Sequence, residues 1–448
     1  MKRSGVFITV VLSLLVAPNG TRAQTSIQTL RTNGPLSQRL NIVFLSEGYT
    51  TNQLAQFPTD ATRVLTNLLA TLPLREYSNY FNAFAISVPS NESGSDHPSR
   101  SIVRDTYFNS TYDSSGIARL ITIDSTGHSR VNSLLASYLP QYDLVALIVN
   151  DTEYGGSGGF PLITSVNSSS PEIATHELGH SFAALGDEYG DPYPGYADIE
   201  EPNTTMQTNR ALIKWTSWIL PATPVPTPAV SSNSAVVGLF EGAHYHFTGW
   251  FRPKLTCKMR ALGVAFCEVC SETLVKSIYG QIRPIETTSP GTSNILVLTN
   301  AASVSLSVSN LVPSTHTLSV QWFTNNIAVA GATSSVFSVT GFALPAGTNL
   351  VRAEVTDTTS LVRNDPSQVL KDARTWRVAS VFSAPRLSAV RASGQIMISW
   401  TTNASGFVLE STSAFPPPSW TPILTVGTET GITLPATNSR TFFRLRRP

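Results

Sequence analysis

His176-Glu177-Leu178-Gly179-His180 is the stretch on which the reading of this 448-residue chain turns. Two histidines four residues apart lie one turn apart on the same side of a helix. So placed, both imidazoles can meet one zinc ion at about 2.0–2.1 Å. Glu177 lies about 100° round the helix from His176, where its carboxylate reaches a metal-activated water rather than the metal itself. The residues just before it start a helix. Ser170 can cap it, Pro171 suits the first helical position and Glu172 complements the dipole. From Ile173 to Leu185 the composition is helical, and Leu178, Phe182 and Leu185 share a side that can pack on a sheet.

A catalytic zinc takes a third protein ligand and keeps one position open. Asp187, seven residues past His180, leads the candidates, because Gly186 can end the helix in a left-handed turn that swings the aspartate back. His246, His244 and Glu188 are the alternatives. The competing reading of Asp187 is a carboxylate that orients a ligand histidine without touching the metal. The acidic run Asp187, Glu188, Asp191, Asp198, Glu200 and Glu201 makes a structural calcium ion a second candidate, with no calcium-loop spacing behind it.

Upstream of the motif, strand and helix patterns alternate. Leu40 to Leu45, Phe81 to Val88 and Asp143 to Val149 read as buried strands, and Asn52 to Leu72 and Val131 to Leu139 as helices. That alternation predicts an α/β layer with a largely parallel sheet. Gly155-Gly156-Ser157-Gly158-Gly159 lacks the spacing of a phosphate-binding loop. It suits a flexible turn leading into a strand over Phe160 to Val166, or an edge strand bordering a cleft where glycine lets another backbone come close, and the strand after the tract could pair with an extended substrate. After Ile282 the period changes to two. Val304, Leu306 and Val308, then Val351, Ala353 and Val355, with Trp322 between, predict an immunoglobulin-like sandwich over residues 284–382. A small separate β module follows over residues 383–448.

The N-terminus reads as a signal peptide over residues 1–23: Lys2 and Arg3, an apolar run from Val6 to Ala17, and a small-residue cleavage site ending at Ala23. The expectation is therefore an extracellular or periplasmic protein with no transmembrane segment. With 30 basic and 29 acidic residues, a formal charge of +1, nothing favours nucleic acid or an anionic membrane surface as a partner. The three cysteines, Cys257, Cys267 and Cys270, allow at most one disulfide, and the expected use is a cross-link from Cys257 to one of the others.

His176-Glu-Leu-Gly-His-Ser-Phe-Ala-Ala-Leu-Gly-Asp-Glu-Tyr189 resembles the signature of the IgA-peptidase family of bacterial zinc metallopeptidases. Leu45-Ser-Glu-Gly-Tyr-Thr50, Ser93-Gly-Ser-Asp-His-Pro98, Pro202 to Ala211, Glu241-Gly-Ala243, Cys257-Lys-Met-Arg260 and Phe266-Cys-Glu-Val-Cys270 look like the same family, in the same order. The resemblance covers about residues 40–280 and stops before the β modules. It implies a metzincin-like α+β zincin domain over residues 24–283 with a methionine turn at Met259 beneath the zinc, and Tyr189 or Tyr245 lining the site. In metzincins a glycine and a third ligand stand three and six residues past the second histidine. Here those positions are Ala183 and Gly186, so the third ligand departs from the pattern.

Together these readings predict a secreted zinc endopeptidase acting on extracellular proteins or peptides, with Glu177 as general base. The alternative is an exported adhesion or glycan-binding protein whose β modules make the cell-surface contact and whose zincin domain is inactive or secondary.

Overall fold

The computed structural model describes residues 24–447, except 194, 300–301, 382–383, 417–418 and 438–439. The expected signal peptide lies outside the described residues. Among those described, no helix is long and apolar enough to cross a membrane. The chain is mixed, with four α-helices and many β-strands among the described residues.

The first part runs β1 (Ser26–Arg31), β2 (Leu40–Glu47), α1 (Phe57–Ala70), β3 (Phe81–Ser87), β4 (Ser110–Thr111), β5 (Thr122–Ile123) and α2 (Ser125–Tyr138). It continues through β6 (Leu144–Val149), β7 (Gly156–Ser157), β8 (Leu162–Ser165), α3 (Ser170–Ala183), β9 (Phe240–Ala243), β10 (His246–Arg252) and α4 (Glu268–Gln281). Six strands form one sheet in the order β1-β3-β2-β6-β8-β7. The four central strands are parallel and the outer two, β1 and β7, antiparallel.

The sheet separates two cores because side chains alternate along each strand. Leu40, Ile42 and Phe44 of β2 face a core shared with α1, α3 and α4. Val43 and Leu45 face the core under α2. Helix α1 begins at Phe57 rather than near Asn52, with Pro58 in its first turn, where the missing N–H costs nothing. Helix α2 begins six residues before the apolar signal at Val131. Asp124 caps it by accepting from Gly127 N at 2.6 Å, so a polar first turn still forms. In α3, Ser170 is already helical and its hydroxyl accepts from Arg63, so the expected Ser170 cap is not made.

A further core opens at Ile285. From there run β11 (Ile285–Ser289), β12 (Ile295–Thr299), β13 (Ser303–Asn310), β14 (Ser319–Thr324), β15 (Ile327–Ala328), β16 (Val336–Thr340), β17 (Gly347–Thr356) and β18 (Lys371–Val381). They make a three-stranded sheet, β11-β13-β16, and a five-stranded one, β12-β18-β17-β14-β15. Both contribute to a core in which Trp322 and Trp376 stack at 5.4 Å. This unit is not a loose spacer. Its Leu311 and Leu370 enter the core of the first part. Its buried Asp357 accepts from Tyr77 Oη at 2.8 Å and Tyr279 Oη at 2.7 Å. Two phenols satisfying one buried carboxylate tie the units together, since removing either side strands a polar group. The remaining chain forms two three-stranded sheets around Ile398, Trp400 and Leu409.

Candidate metal centre

Helix α3 is anchored by Ala174, Leu178 and Phe182 in the core, which leaves His176 and His180 directed to its other side. The helix ends at Ala183, and Ala184, not Gly186, takes the left-handed conformation (φ 50°). Leu185 N then reaches back to Gly179 O at 3.0 Å, and Gly186 is clamped by both ends of the Asn203 amide. This turn brings Asp187 beside the histidines.

His176 Nδ1 donates to the Lys258 carbonyl at 2.9 Å, and His180 Nδ1 to the Leu185 carbonyl at 2.6 Å. A carbonyl only accepts, so each Nδ1 carries a proton, and in the neutral rings each Nε2 presents a lone pair. Those two nitrogens stand 3.2 Å apart. Asp187 Oδ1 lies 3.2 Å from one and 3.4 Å from the other. Three acceptors thus converge, and Asp187 Oδ1 is a buried oxygen with no hydrogen-bond partner among the described residues. A cation, or a proton on a neighbouring ring, relieves such a group. A tetrahedral ion with bonds near 2.0–2.1 Å spaces its ligand atoms about 3.3 Å apart. The three residues fit that spacing.

Without a metal, protons take the role. Burial disfavours charge on His176 and His180, but the Asp187 carboxylate outweighs it, and His180 is pushed up to about 9. Burial would raise Asp187, yet the two imidazoles hold it well below the usual carboxylate range. Tyr245 donates its hydroxyl to Asp187 Oδ2 and fixes the carboxylate's rotation.

Glu177 shares a cavity of about 510 Å³ with His176, His180 and Asp187. Burial pushes its carboxyl up, while both histidines pull it down. The wall opposite is the end of the glycine tract. A Cβ on Gly158 would stand 3.0 Å from His180 Cβ and 3.1 Å from Glu177 Oε2, so a side chain here would crowd the site. The edge strand is β7, inside the tract, whereas β8 after it lies between β6 and β7. Beneath α3, Met259 is fully buried, with Sδ 2.6 Å from where a Gly179 Cβ would sit. Tyr189 stacks on His176 with ring centres 6.1 Å apart, and its hydroxyl has no partner among the described residues.

The other candidates lie elsewhere. His244 is buried between Glu201 and the Ala197 carbonyl, each at 2.9 Å. His246 bonds the His244 carbonyl at 2.7 Å and lies 3.5 Å from Asp198. Glu188 points to the cysteines. The acidic run is scattered over separate partners, Glu200 with Lys214 and Glu201 with His244, so it assembles no calcium site among the described residues. His97 pairs with Asp151 at 2.9 Å. All three cysteines are free, correcting the expected disulfide.

Three parts of the site escaped sequence reading. The Lys258 and Leu185 carbonyls are backbone groups, which no residue type announces. Arg119, exposed on the cavity rim, lies in irregular chain before β5, where no periodicity marks it.

The family model for IgA Peptidase M64 matches residues 28–233 and 229–278, more than half of the chain. The chain belongs to this family. The family is one of peptidases. No curated protein matches the chain. Among solved structures it is similar to a quinonprotein alcohol dehydrogenase-like protein from Bacteroides thetaiotaomicron. There identity is 9%, with 34% of this chain and 41% of that one covered at a TM-score of 0.16. The chain thus spans about two fifths of that structure's length. It is also similar to the central fibronectin-III array of RIM-binding protein (14% identity, 34% and 52% covered, TM-score 0.13). A third is a chaperone–tip adhesin complex of CFA/I fimbriae (12%, 36% and 92%, TM-score 0.14). At these TM-scores the likenesses bear on neither fold nor activity.

Proposed function

We propose that the chain is an exported, zinc-dependent endopeptidase in which His176, His180 and Asp187 hold the ion and Glu177 moves the protons. The observation that carries this reading is the convergence of three acceptor atoms at 3.2–3.4 Å beside a carboxylate that shares their cavity. When bound, zinc lowers the pKa of a water toward about 7 and polarises the scissile carbonyl.

Glu177 takes the proton of the attacking water and delivers it to the leaving amine. Its burial suits both halves of that task, because a raised carboxyl pKa makes it a better base and a usable acid at neutral pH. Tyr189, with its hydroxyl free of protein partners among the described residues, donates to the developing oxyanion. Tyr245 serves through Asp187, holding its second oxygen. An extended substrate lies along the exposed glycine backbone at Gly158 and Gly159, in the manner of an added strand.

In this reading residues 24–283 form a metzincin-like peptidase domain with Met259 as floor. Residues 284–382 form an immunoglobulin-like sandwich, and residues 383–448 a module for cell-surface or glycan contact. Glu177→Gln is the test. The variant keeps its metal content and loses about 10²–10⁴-fold in kcat on peptide substrates. Turnover at the parent rate with metal bound overturns the assignment.

A further inference from the structure

Behind the histidine site, a second group of metal-binding side chains is wholly enclosed. Cys257, Cys267, Cys270 and Glu188 are each buried, and one ligand atom from each lies within 4.8 Å of the others. Cys257 Sγ and Cys270 Sγ are 3.6 Å apart, and Cys270 Sγ is 3.5 Å from Glu188 Oε1. The sulfur spacing is far beyond the 2.03–2.05 Å of a disulfide. It matches what tetrahedral zinc requires: bonds of 2.3 Å to sulfur and about 2.0 Å to oxygen put ligand sulfurs about 3.8 Å apart and sulfur and oxygen about 3.5 Å apart.

The surroundings favour a cation over plain packing. Glu188 is fully buried, and its Oε2 has no hydrogen-bond partner among the described residues. Its Oε1 accepts from Asn203 Nδ2 at 3.0 Å, a neutral donor, and the Arg252 guanidinium favours its charge without forming an ion pair with it. Cys267 N donates to Cys257 Sγ at 3.3 Å, a backbone contact typical of a sulfur that serves as an acceptor. Cys267 and Cys270 also stand at the start of α4, where the helix dipole favours thiolate.

We propose that these four residues bind a structural zinc ion as a closed Cys3Glu site, separate from the histidine centre. On binding, the three thiols release their protons to solvent and no electron is transferred. Softness of the sulfur donors selects zinc over calcium or magnesium. With all four positions filled by protein there is no place for a water or substrate, so the ion does no chemistry. Its effect is mechanical. Glu188 follows Asp187 directly, and its N–H bonds the Met259 carbonyl at 2.9 Å. Cys257 opens the turn whose Lys258 carbonyl holds His176. One ion thereby joins residues 187–188, the turn at 257–260 and the start of α4, the three segments beneath the histidine site.

Metal analysis of the full chain, purified without chelator and loaded with zinc, decides the matter. Two ions per chain are expected, and one in the His176→Ala/His180→Ala double variant, which leaves the thiolates untouched. Cobalt in that double variant should give the thiolate-to-cobalt charge-transfer band of a sulfur-rich tetrahedral site. Denaturation with chelator but no reductant should release three titratable thiols. No ion in the double variant, or one free thiol in place of three, overturns the proposal. Loss of catalysis with one ion retained would count against neither the thiolate site nor its independence, so failure of the peptidase reading stays distinguishable from failure of this one.

Discussion

Asp187 and Glu188 are adjacent carboxylates that face opposite ways, into two acceptor clusters of different design. The outer cluster, His176, His180 and Asp187, borders a cavity of about 510 Å³ beside Glu177. The inner one, Cys257, Cys267, Cys270 and Glu188, is buried at every member. An open coordination position is what separates a metal site that performs chemistry from one that stabilises a fold. The comparison teaches that ligand type alone does not assign roles; the number of protein ligands and access to water do.

Breaking the pair apart gives the largest effect. Asp187→Ala removes one ligand of the outer ion and should cost at least about 10³-fold in kcat/KM, with sulfur-bound metal retained. Metal content and peptide turnover measured on the same sample check it. Equal activity in the variant would return the third-ligand role to another residue.

A smaller effect is expected where the two sites share a wall. Gly179 lies between the histidines with no room for a side chain, since its Cβ would meet Met259 Sδ at 2.6 Å. Gly179→Ala should therefore destabilise the fold by about 1–3 kcal/mol through overpacking, read as a lowered Tm. An unchanged Tm would show that the methionine turn yields freely.

The smallest effect sharpens the contrast through pH. In metal-free protein His176 and His180 have folded-state pKa values raised above the unfolded value of about 6.5. Their stabilisation is complete below about pH 6.5 and is lost as pH rises through the folded value, about 9 for His180. Asp187 is depressed, so its share is present above about pH 4 and lost only in strong acid. Metal-free protein should thus lose stability between pH 6.5 and 9. Zinc-loaded protein should not, because the metal holds the rings neutral. Parallel Tm curves with and without zinc across that range would break this account.

Much of the centre was legible because its signals are local. The spacing of His176 and His180 depends only on the helix period, and α3 forms where Pro171, Glu172 and the apolar side place it. The parallel strands were visible as apolar runs for the same reason. The helix end was misassigned to Gly186 because glycine is the usual left-handed residue, whereas here the clamp from Asn203 sets the geometry and Ala184 takes the turn. The cysteines were misread as a disulfide because pairing depends on Cα placement and on what else points inward, and Glu188 comes from a distant segment.

The sequence by itself determined the helix, the two histidines and the neighbouring carboxylate, since residues within one turn need no other part of the chain to be brought together. Only the tertiary structure decided that Asp187 turns outward to the cavity and Glu188 inward to sulfur. That choice depends on Asn203, Tyr245 and Met259, which reach the turn from remote positions and supply hydrogen bonds no local pattern encodes.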